Sequence, residues 1–496
     1  MFYSGNVPRW GMWEIAFNVT LPKGNPFDAG FKAVLSKDGR KLTAFGFYDG
    51  DSDGGGAVFK LRFMPDHEGE WHYQTVCDLP ELDGHTGSFM CVQPETGSHG
   101  IARVRGDHFM YDDGTPLYPI GTTCYAWIHQ PQSLRSQTLE TLKNTHFKKI
   151  RMCVFPKHYD YNHNEPEIYP FAGGPDQFDY ARPNPSFYKL LEESIFNLSR
   201  IGIEADLILF HAYDRWGFSK MDEACNRRYL RYAVARLSCF SNVWWNLANE
   251  YDLLPHLDTQ AWETFAQIIG EMDYARHLIS IHNCMEFYDH HKQWVSHCSI
   301  QRQDTYKTAE YTDKWLSEYQ KPVVLDEMGY EGDINWGWGN LTAQELIRRA
   351  WECFVRGGYP GHGETYLSPD EVLWWSKGGV LKGESHKRFD FLMKICREAG
   401  GISLLQERCW WDLPVGGVEG KVYIAYFGFN RPSFREFYSD APHLAKYNFP
   451  KGNYRVEVID TWNMAIADLG VVPHDKLRVE LPARQYMALR ITPVVT

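Results

Sequence analysis

The sequence predicts an α/β fold, a (β/α)8 TIM barrel flanked by an N-terminal and a C-terminal β-sandwich. Three observations carry this: strand-like runs alone up to about residue 98, a strand–helix alternation from Arg103 onward, and a return to strand patterns after Gly401. The chain is therefore divided at 1–98, 99–400 and 401–496, within the two to four domains expected of 496 residues.

The first segment holds WEIAFNVTL, FKAVLS, LTAFGFYDG, AVFKLRFMP and EWHYQTV, separated by Gly, Pro, Asp and Asn. No 3.6-residue period interrupts these β-branched and aromatic runs, so a small sandwich is expected. The acidic turn DGDSDGGG lacks the ligand spacing of a calcium loop and reads as solvated.

In the middle segment PLYPIGTT, KKIRMCVF, IEADLILF, NVWWNL, HLISIHN, WVSHCSI, PVVLDE and YPGHGETY read as strands one to eight. Helices are expected at 134–144, from Pro185, at 227–237, 261–272 and 309–319, from Thr342, and at 388–398. In the second, Phe187, Leu190, Leu191, Ile195 and Leu198 form one apolar stripe that Gly202 ends. Thr342 and Glu345 form a capping box. Strands five and six are joined without a helix, the one break in the alternation. An open doubly wound sheet would call for GxGxxG after its first strand, which is missing. The last segment, with ERCWWDLP, KVYIAYFGF, REFYSDA, YRVEVIDTW, LRVELPA and YMALRITPV, reads as a second sandwich.

Composition excludes several classes of function. Apolar residues make up 44% and charged residues 23%, the mix of a soluble globular protein. A net charge of −12 argues against nucleic acid as a partner, since phosphate binding needs clustered Lys and Arg. No run approaches the roughly 20 apolar residues of a membrane span. The start, MFYSGNVPRWGMWEI, shows no secretory signal, and 11 scattered cysteines without CxxC spacing read as reduced thiols. A cytoplasmic location is expected, and a homo-oligomer is left open. Aromatics reach 15% with 18 Trp, an excess that suits sugar rings as well as cores.

The active site of such a barrel lies at the C-terminal ends of its strands. There stand Tyr125 and Trp127 (strand one), Arg151 running on to Lys157 and His158 (two), and His211 (three). Asn249 and Glu250 follow (four), then His282 and Asn283 (five), and Gln301 or Gln303 (six). Strand seven ends on Asp326 and Glu327, and strand eight carries His362 and Glu364. Carboxylates on strands four and seven, across one mouth, are the parts of glycoside hydrolysis: one protonates the departing oxygen, the other attacks the anomeric carbon or activates water. Tyr125, Trp127 and Trp375 supply ring faces; Arg151, His158, His211, His282, Gln301, His362 and Glu364 supply groups for hydroxyls. The cluster His290, His291, His297 and Cys298 has no metal-binding spacing, so no metal is expected. Strand alternation puts Trp244 and Trp245 on opposite faces, and likewise Asp326 and Glu327.

Asn-Glu ending strand four, Glu ending strand seven and Arg inside strand two resemble the clan A glycoside hydrolases, retaining (β/α)8 enzymes. The resemblance implies Glu250 as acid/base and Glu327 as nucleophile, with Glu331 in reserve. It also implies that Asn249 binds the hydroxyl beside the anomeric carbon and that Arg151 holds the nucleophile ionised. More closely, the chain resembles bacterial apiosidase-like three-part proteins. The motifs are RW…NPF…GFYDGD…RFMP…GEW (9–71), DDGTPLYPIGTT (112–123), DEMGYEG (326–332) and LWWSKGG (373–379). Where apiosidases carry Asp on strand four this chain has Asn249-Glu250, which favours the general clan A mechanism. The expected activity is a retaining, exo-acting β-glycosidase on short oligosaccharides or glycosides, needing no cofactor. A non-catalytic carbohydrate-binding protein and an inverting hydrolase of the same fold are the alternatives. The acidic turn is expected to lean over the barrel mouth and shorten the cleft.

Overall fold

The computed structural model describes residues 2–52, 54–302, 304, 307–406, 413–438, 452–473 and 476–494. Most of the strand read in ERCWWDLP, the end of REFYSDA, and Gln303 lie outside these residues.

Eight parallel strands form the barrel: β1 (Gly121–Thr123), β2 (Lys149–Cys153), β3 (Glu204–His211) and β4 (Val243–Asn249). The others are β5 (Ile279–Ser280), β6 (Cys298–Gln301), β7 (Val323–Glu327) and β8 (Tyr359–His362). Their order is 5-4-3-2-1-8-7-6, and a parallel bridge from His282 to Ser299 joins β5 to β6. Closure thus falls on the step that lacks a helix; the two-residue β5 leaves that seam a single bridge.

The helices are α1 (Gln132–Lys143), α2 (Pro185–Arg200), α3 (Glu223–Leu237) and α4 (Thr259–Met272). They continue with α5 (Thr312–Tyr319), α6 (Ala343–Val355), the short α7 (Trp374–Lys377) and α8 (Ser385–Ala399). Side-chain caps set several starts: Asn184 accepts from Ser186 N, Asp222 from Cys225 N, Asp258 from Ala261 N, and Thr342 from Glu345 N. The expected stripe of α2 faces inward, with Phe187, Leu191, Ile195 and Leu198 all buried. Among the described residues no helix is long and apolar enough to cross a membrane.

Alternation along β4 sends the two tryptophans apart as expected. Trp244 fills the barrel floor with Leu278, Val324 and Tyr359, under Phe109 from a small sheet at Ala102–Arg105, His108–Tyr111 and Pro116–Leu117. Trp245 instead donates its Nε1–H to Asp273 Oδ2 at 3.0 Å, beyond the end of α4. Above the floor lies a charged layer: Lys149 Nζ is 2.7 Å from Asp206 and 2.6 Å from Asp326.

Asp326 corrects the alternation argued for β7. It lies inside the barrel, where Lys149 and the Ser299 hydroxyl (2.6 Å) bond it, rather than turned away from Glu327. The register of β7 against β6 shifts between Ser299 and Gln301, so strict period-two counting fails at this strand end.

Before the barrel, a four-stranded sheet (Phe2–Tyr3, Met12–Thr20, Gly56–Phe63, Phe47–Asp51) and a five-stranded sheet (Val7–Pro8, Thr86–Val92, Gly69–Val76, Lys32–Lys37, Arg40–Phe45) share one core. Trp13, Phe31, Phe59, Phe63 and Trp71 are all buried in that core. After the barrel come a six-stranded sheet and a two-stranded one.

The acidic turn begins against the outer helices of the barrel. Asp49 is buried and pairs with Arg236 of α3 (2.8 Å), while Tyr232 donates to the Tyr48 carbonyl at 2.9 Å. Glu192 of α2 links Arg236 (2.5 Å) to Arg62 of the sandwich (2.7 Å). Ion pairing with the outer wall of the barrel takes Asp49 out of solvent, while Asp51, Gly54 and Gly55 are exposed as the solvated reading of the turn has it.

Candidate active site

The end of β4 delivers Glu250 in a strained backbone conformation, with φ +55° and ψ +58°. This left-handed state is unfavourable for a residue with a Cβ, and such states concentrate at functional sites. Its carboxylate is held from three sides. Tyr213 donates to Oε2 at 2.6 Å, Asn249 Nδ2 to the same oxygen at 3.0 Å, and Gln301 Nε2 to Oε1 at 3.3 Å.

Glu327 ends β7, before the turn that Gly329 makes at φ +86°. A Cβ at Gly329 would lie 2.7 Å from Leu341 Cδ1, so the turn has no room for another residue. Arg151 reaches Glu327 Oε1 at 2.9 Å, and the Tyr125 hydroxyl donates to the same atom. His282 Nε2 stands 3.2 Å from it, near enough to pair but off the line of a straight hydrogen bond. Burial alone would raise this carboxyl. Contact with His282, then the Arg151 charge and the Tyr125 hydroxyl, outweigh burial and hold it well below the usual carboxylate range.

The supports are themselves fixed. Arg151 donates to Asn249 Oδ1 at 3.0 Å, and the Tyr125 hydroxyl oxygen stands 3.0 Å from the same atom. His282 Nδ1 is 3.0 Å from Ser299 Oγ, whose proton goes to Asp326. His211 bonds the Phe155 carbonyl (3.2 Å) and accepts from Tyr213 N (3.2 Å), so it braces the segment bearing Tyr213. Burial, then the nearby Lys157 charge, lowers its pKa to about 3 and leaves it neutral.

One wall is aromatic. Trp375 lies 5.4 Å from Tyr125 between ring centroids, 5.3 Å from Tyr159, 5.8 Å from Tyr161 and 5.0 Å from Trp338. The structure thus gathers Glu250, Glu327, Asn249, Arg151, Tyr125, His282, Gln301 and Trp375, with His211 behind.

Four expected residues go elsewhere. Trp127 is wholly buried and bonds the Arg135 carbonyl, a packing role. His158 packs edge-on to His163 and Trp216, in the loop between β2 and α2. His362 bonds Thr122 Oγ1 at 2.9 Å and packs on Phe147 and Phe389. Glu364 accepts from the backbone of Lys382 (2.6 Å) and Gly383 (2.7 Å), and Glu331 from that of Glu384 and Ser385 (2.9 Å each). Tyr213, Tyr330 and Trp338 were missed; Tyr213, two residues beyond β3, was within reach of counting strand ends. His290 and His297 are buried among rings and neighbours, and burial lowers both to about 3.

Two carboxylates at the C-terminal mouth of a (β/α)8 barrel are an arrangement that glycoside hydrolysis can use. The chain belongs to the apiosidase-like family, whose catalytic-domain model matches residues 104–384. Two domain families of unknown function match residues 6–78 (DUF5060) and 411–492 (DUF5605). Among solved structures, a putative glycoside hydrolase from Bacteroides vulgatus is 35% identical, with 99% of this chain and 100% of that one covered and a TM-score of 0.91. A family 5 glycoside hydrolase from the same organism shares the fold at 13% identity, with 80% and 93% covered and a TM-score of 0.60. No curated protein matches the chain.

Proposed function

We propose that this glycoside hydrolase is a retaining, exo-acting β-glycosidase that cleaves short oligosaccharides or glycosides by double displacement. The observation that carries the reading is the unequal treatment of the two carboxylates. Arg151, Tyr125 and His282 converge on Oε1 of Glu327, which keeps the group ionised and leaves Oε2 for the sugar. Glu250 meets only neutral donors, Tyr213, Asn249 and Gln301, with no charged partner like the Arg151 of Glu327, which gives it the acid's part in the reaction.

In the first step Glu327 Oε2 bonds to the anomeric carbon as the bond to the leaving oxygen breaks. That oxygen takes the Glu250 proton. In the second step water attacks the same carbon, gives its proton to Glu250 and expels the Glu327 carboxylate. Exo action is supported by enclosure, since Glu250 is 7% and Glu327 5% exposed beneath the wall of Tyr159, Tyr161, Trp338 and Trp375. The ten described cysteines, all unbridged, suit the cytoplasm.

Proton NMR of an early hydrolysis tests the mechanism. Retention predicts a first product with the anomeric configuration of the substrate, and a 2-fluoro glycoside trapped as an ester on Glu327. The opposite anomer would mean that Glu327 activates water and would end the retaining reading. Products cut from the middle of an oligosaccharide would end the exo reading.

A further inference from the structure

Lys157 is the cation of this site that the mechanism above leaves unused. It leaves β2 into the loop before α2 and is only 2% exposed. Its Nζ lies over four rings: Tyr125 at 3.7 Å, Tyr213 at 4.1 Å, Tyr159 at 4.5 Å and Trp375 at 5.2 Å. The first two matter most, because Tyr125 donates to Glu327 and Tyr213 to Glu250. The ammonium therefore stands between the holders of the two carboxylates.

The neighbouring buried cations are all paired: Lys149 with Asp206 and Asp326, Arg151 with Glu327. Lys157 is not. Among the described residues no carboxylate lies within 4.0 Å of its Nζ and no acceptor hydrogen-bonds it. Ring faces return part of the hydration lost on burial, but an ammonium can give three hydrogen bonds and here gives none. Burial accordingly pulls its pKa down, while Cys153 and the two site carboxylates oppose this. Other donors beside it are also unspent: the hydroxyls of Tyr159 and Tyr330, and Nε1 of Trp375.

We infer that Lys157 is a substrate-binding and specificity-determining residue, whose ammonium donates to an acceptor oxygen, hydroxyl or carboxylate, on the sugar ring seated against Glu327. This rests on the hydrolase reading for the identity of the ligand as a sugar. A ring bonded to Glu327, its leaving oxygen protonated by Glu250, lies beside Tyr125 and Tyr213, whose ring faces the ammonium covers.

The test compares wild type with Lys157→Met and Lys157→Gln on nitrophenyl glycosides altered one group at a time. The panel holds the parent sugar, each monodeoxy analogue, and the uronic acid in which a carboxylate replaces the primary alcohol. Lys157→Met should lose about 10- to 100-fold in kcat/KM on the preferred substrate. On the one analogue lacking the contacted oxygen, variant and wild type should agree within about twofold. If the contact is to a carboxylate, the uronic acid is the preferred substrate and only its advantage disappears. If it is to a hydroxyl, one deoxy sugar is the insensitive one.

Removing a buried, unpaired charge should leave Tm unchanged or raised. An equal loss on every analogue, no loss at all, or a large fall in Tm with both variants would make Lys157 structural and overturn the inference. Calorimetric binding of the free sugars separates the two readings. A chain that cleaves no glycoside, yet binds a sugar about 10- to 100-fold more weakly as Lys157→Met, would sink the hydrolase reading and keep this one.

Discussion

Arg151, Tyr125 and His282 all address one oxygen of Glu327, which sets what substitutions around it should do. Glu327→Gln should abolish turnover on every substrate, because a nucleophile is needed whatever departs. Glu250→Gln should spare the first step for leaving groups as acidic as dinitrophenol, which need little protonation. Equal losses across leaving groups would reverse the assignment. Tyr213→Phe removes the shortest hydrogen bond to Glu250 (2.6 Å) without touching Glu327. It should cost about tenfold in kcat/KM on poor leaving groups and little on good ones, read from the slope of rate against leaving-group pKa. At this scale the sequence was legible wherever a residue ends a strand, since position along the chain there determines position over the mouth. Glu250, Glu327, Asn249, Tyr125, His282 and Gln301 stand together at the mouth where that count puts them. Tyr330 and Trp338 sit in loops, where no period reports which way a side chain points, whereas Tyr213, two residues past β3, lies within reach of the same count. Counting also overreached: His362 ends β8 yet packs against Phe147 and Phe389.

At the scale of the element, the chain entering α8 is held by two buried carboxylates, Glu331 and Glu364, each accepting from two successive backbone N–H groups. In the sequence Glu364 reads as a sugar ligand and Glu331 as a reserve nucleophile, because acids near a barrel mouth look alike there. Only the fold shows that their lone pairs are taken. A Cβ on Gly383 would lie 2.5 Å from the Glu331 carboxylate, so Gly383→Ala must push it off Glu384 N and Ser385 N. The expected cost is about 1–3 kcal/mol, seen as a lower urea midpoint at unchanged slope. An unchanged midpoint would show that the clamp contributes nothing. Helices were the legible elements, since apolar stripes and side-chain caps are local; Thr342 caps α6 as its capping box implied. The closure of β5 on β6 was not legible. Its single bridge joins residues 282 and 299 and leaves no periodic trace.

Across the whole molecule, charges buried at two places set how stability responds to mutation and to pH. Between the first sandwich and the barrel, Glu192 serves both Arg62 and Arg236. Glu192→Ala would leave two buried guanidiniums facing one another, each with one carboxylate still (Glu14 on Arg62, Asp49 on Arg236), and should cost about 3 kcal/mol in chemical denaturation. At the barrel floor, burial lifts Glu204 to about 7, although Tyr111 and Trp244 each donate to it at 2.9 Å. Burial likewise lifts Glu364 to about 7. Both carboxyls therefore bind protons more tightly folded than unfolded, and stability must fall as pH rises from about 4.5 through 7. Asp326 and Glu327 act in the opposite sense. Lys149 beside Asp326, and His282 then Arg151 beside Glu327, hold them below the usual range, so stability falls again as pH drops below about 4. Glu204→Gln isolates the floor. Its amide can accept from Trp244 and donate to the Tyr111 oxygen, so both hydrogen bonds survive while the charge cannot form. The variant should match wild type near pH 5, where Glu204 is protonated, and exceed it by up to about 3 kcal/mol at pH 8. Calorimetric Tm values at the two pH values check this. A gap that is constant with pH, or wider at pH 5, would show that Glu204 does not titrate in the folded protein.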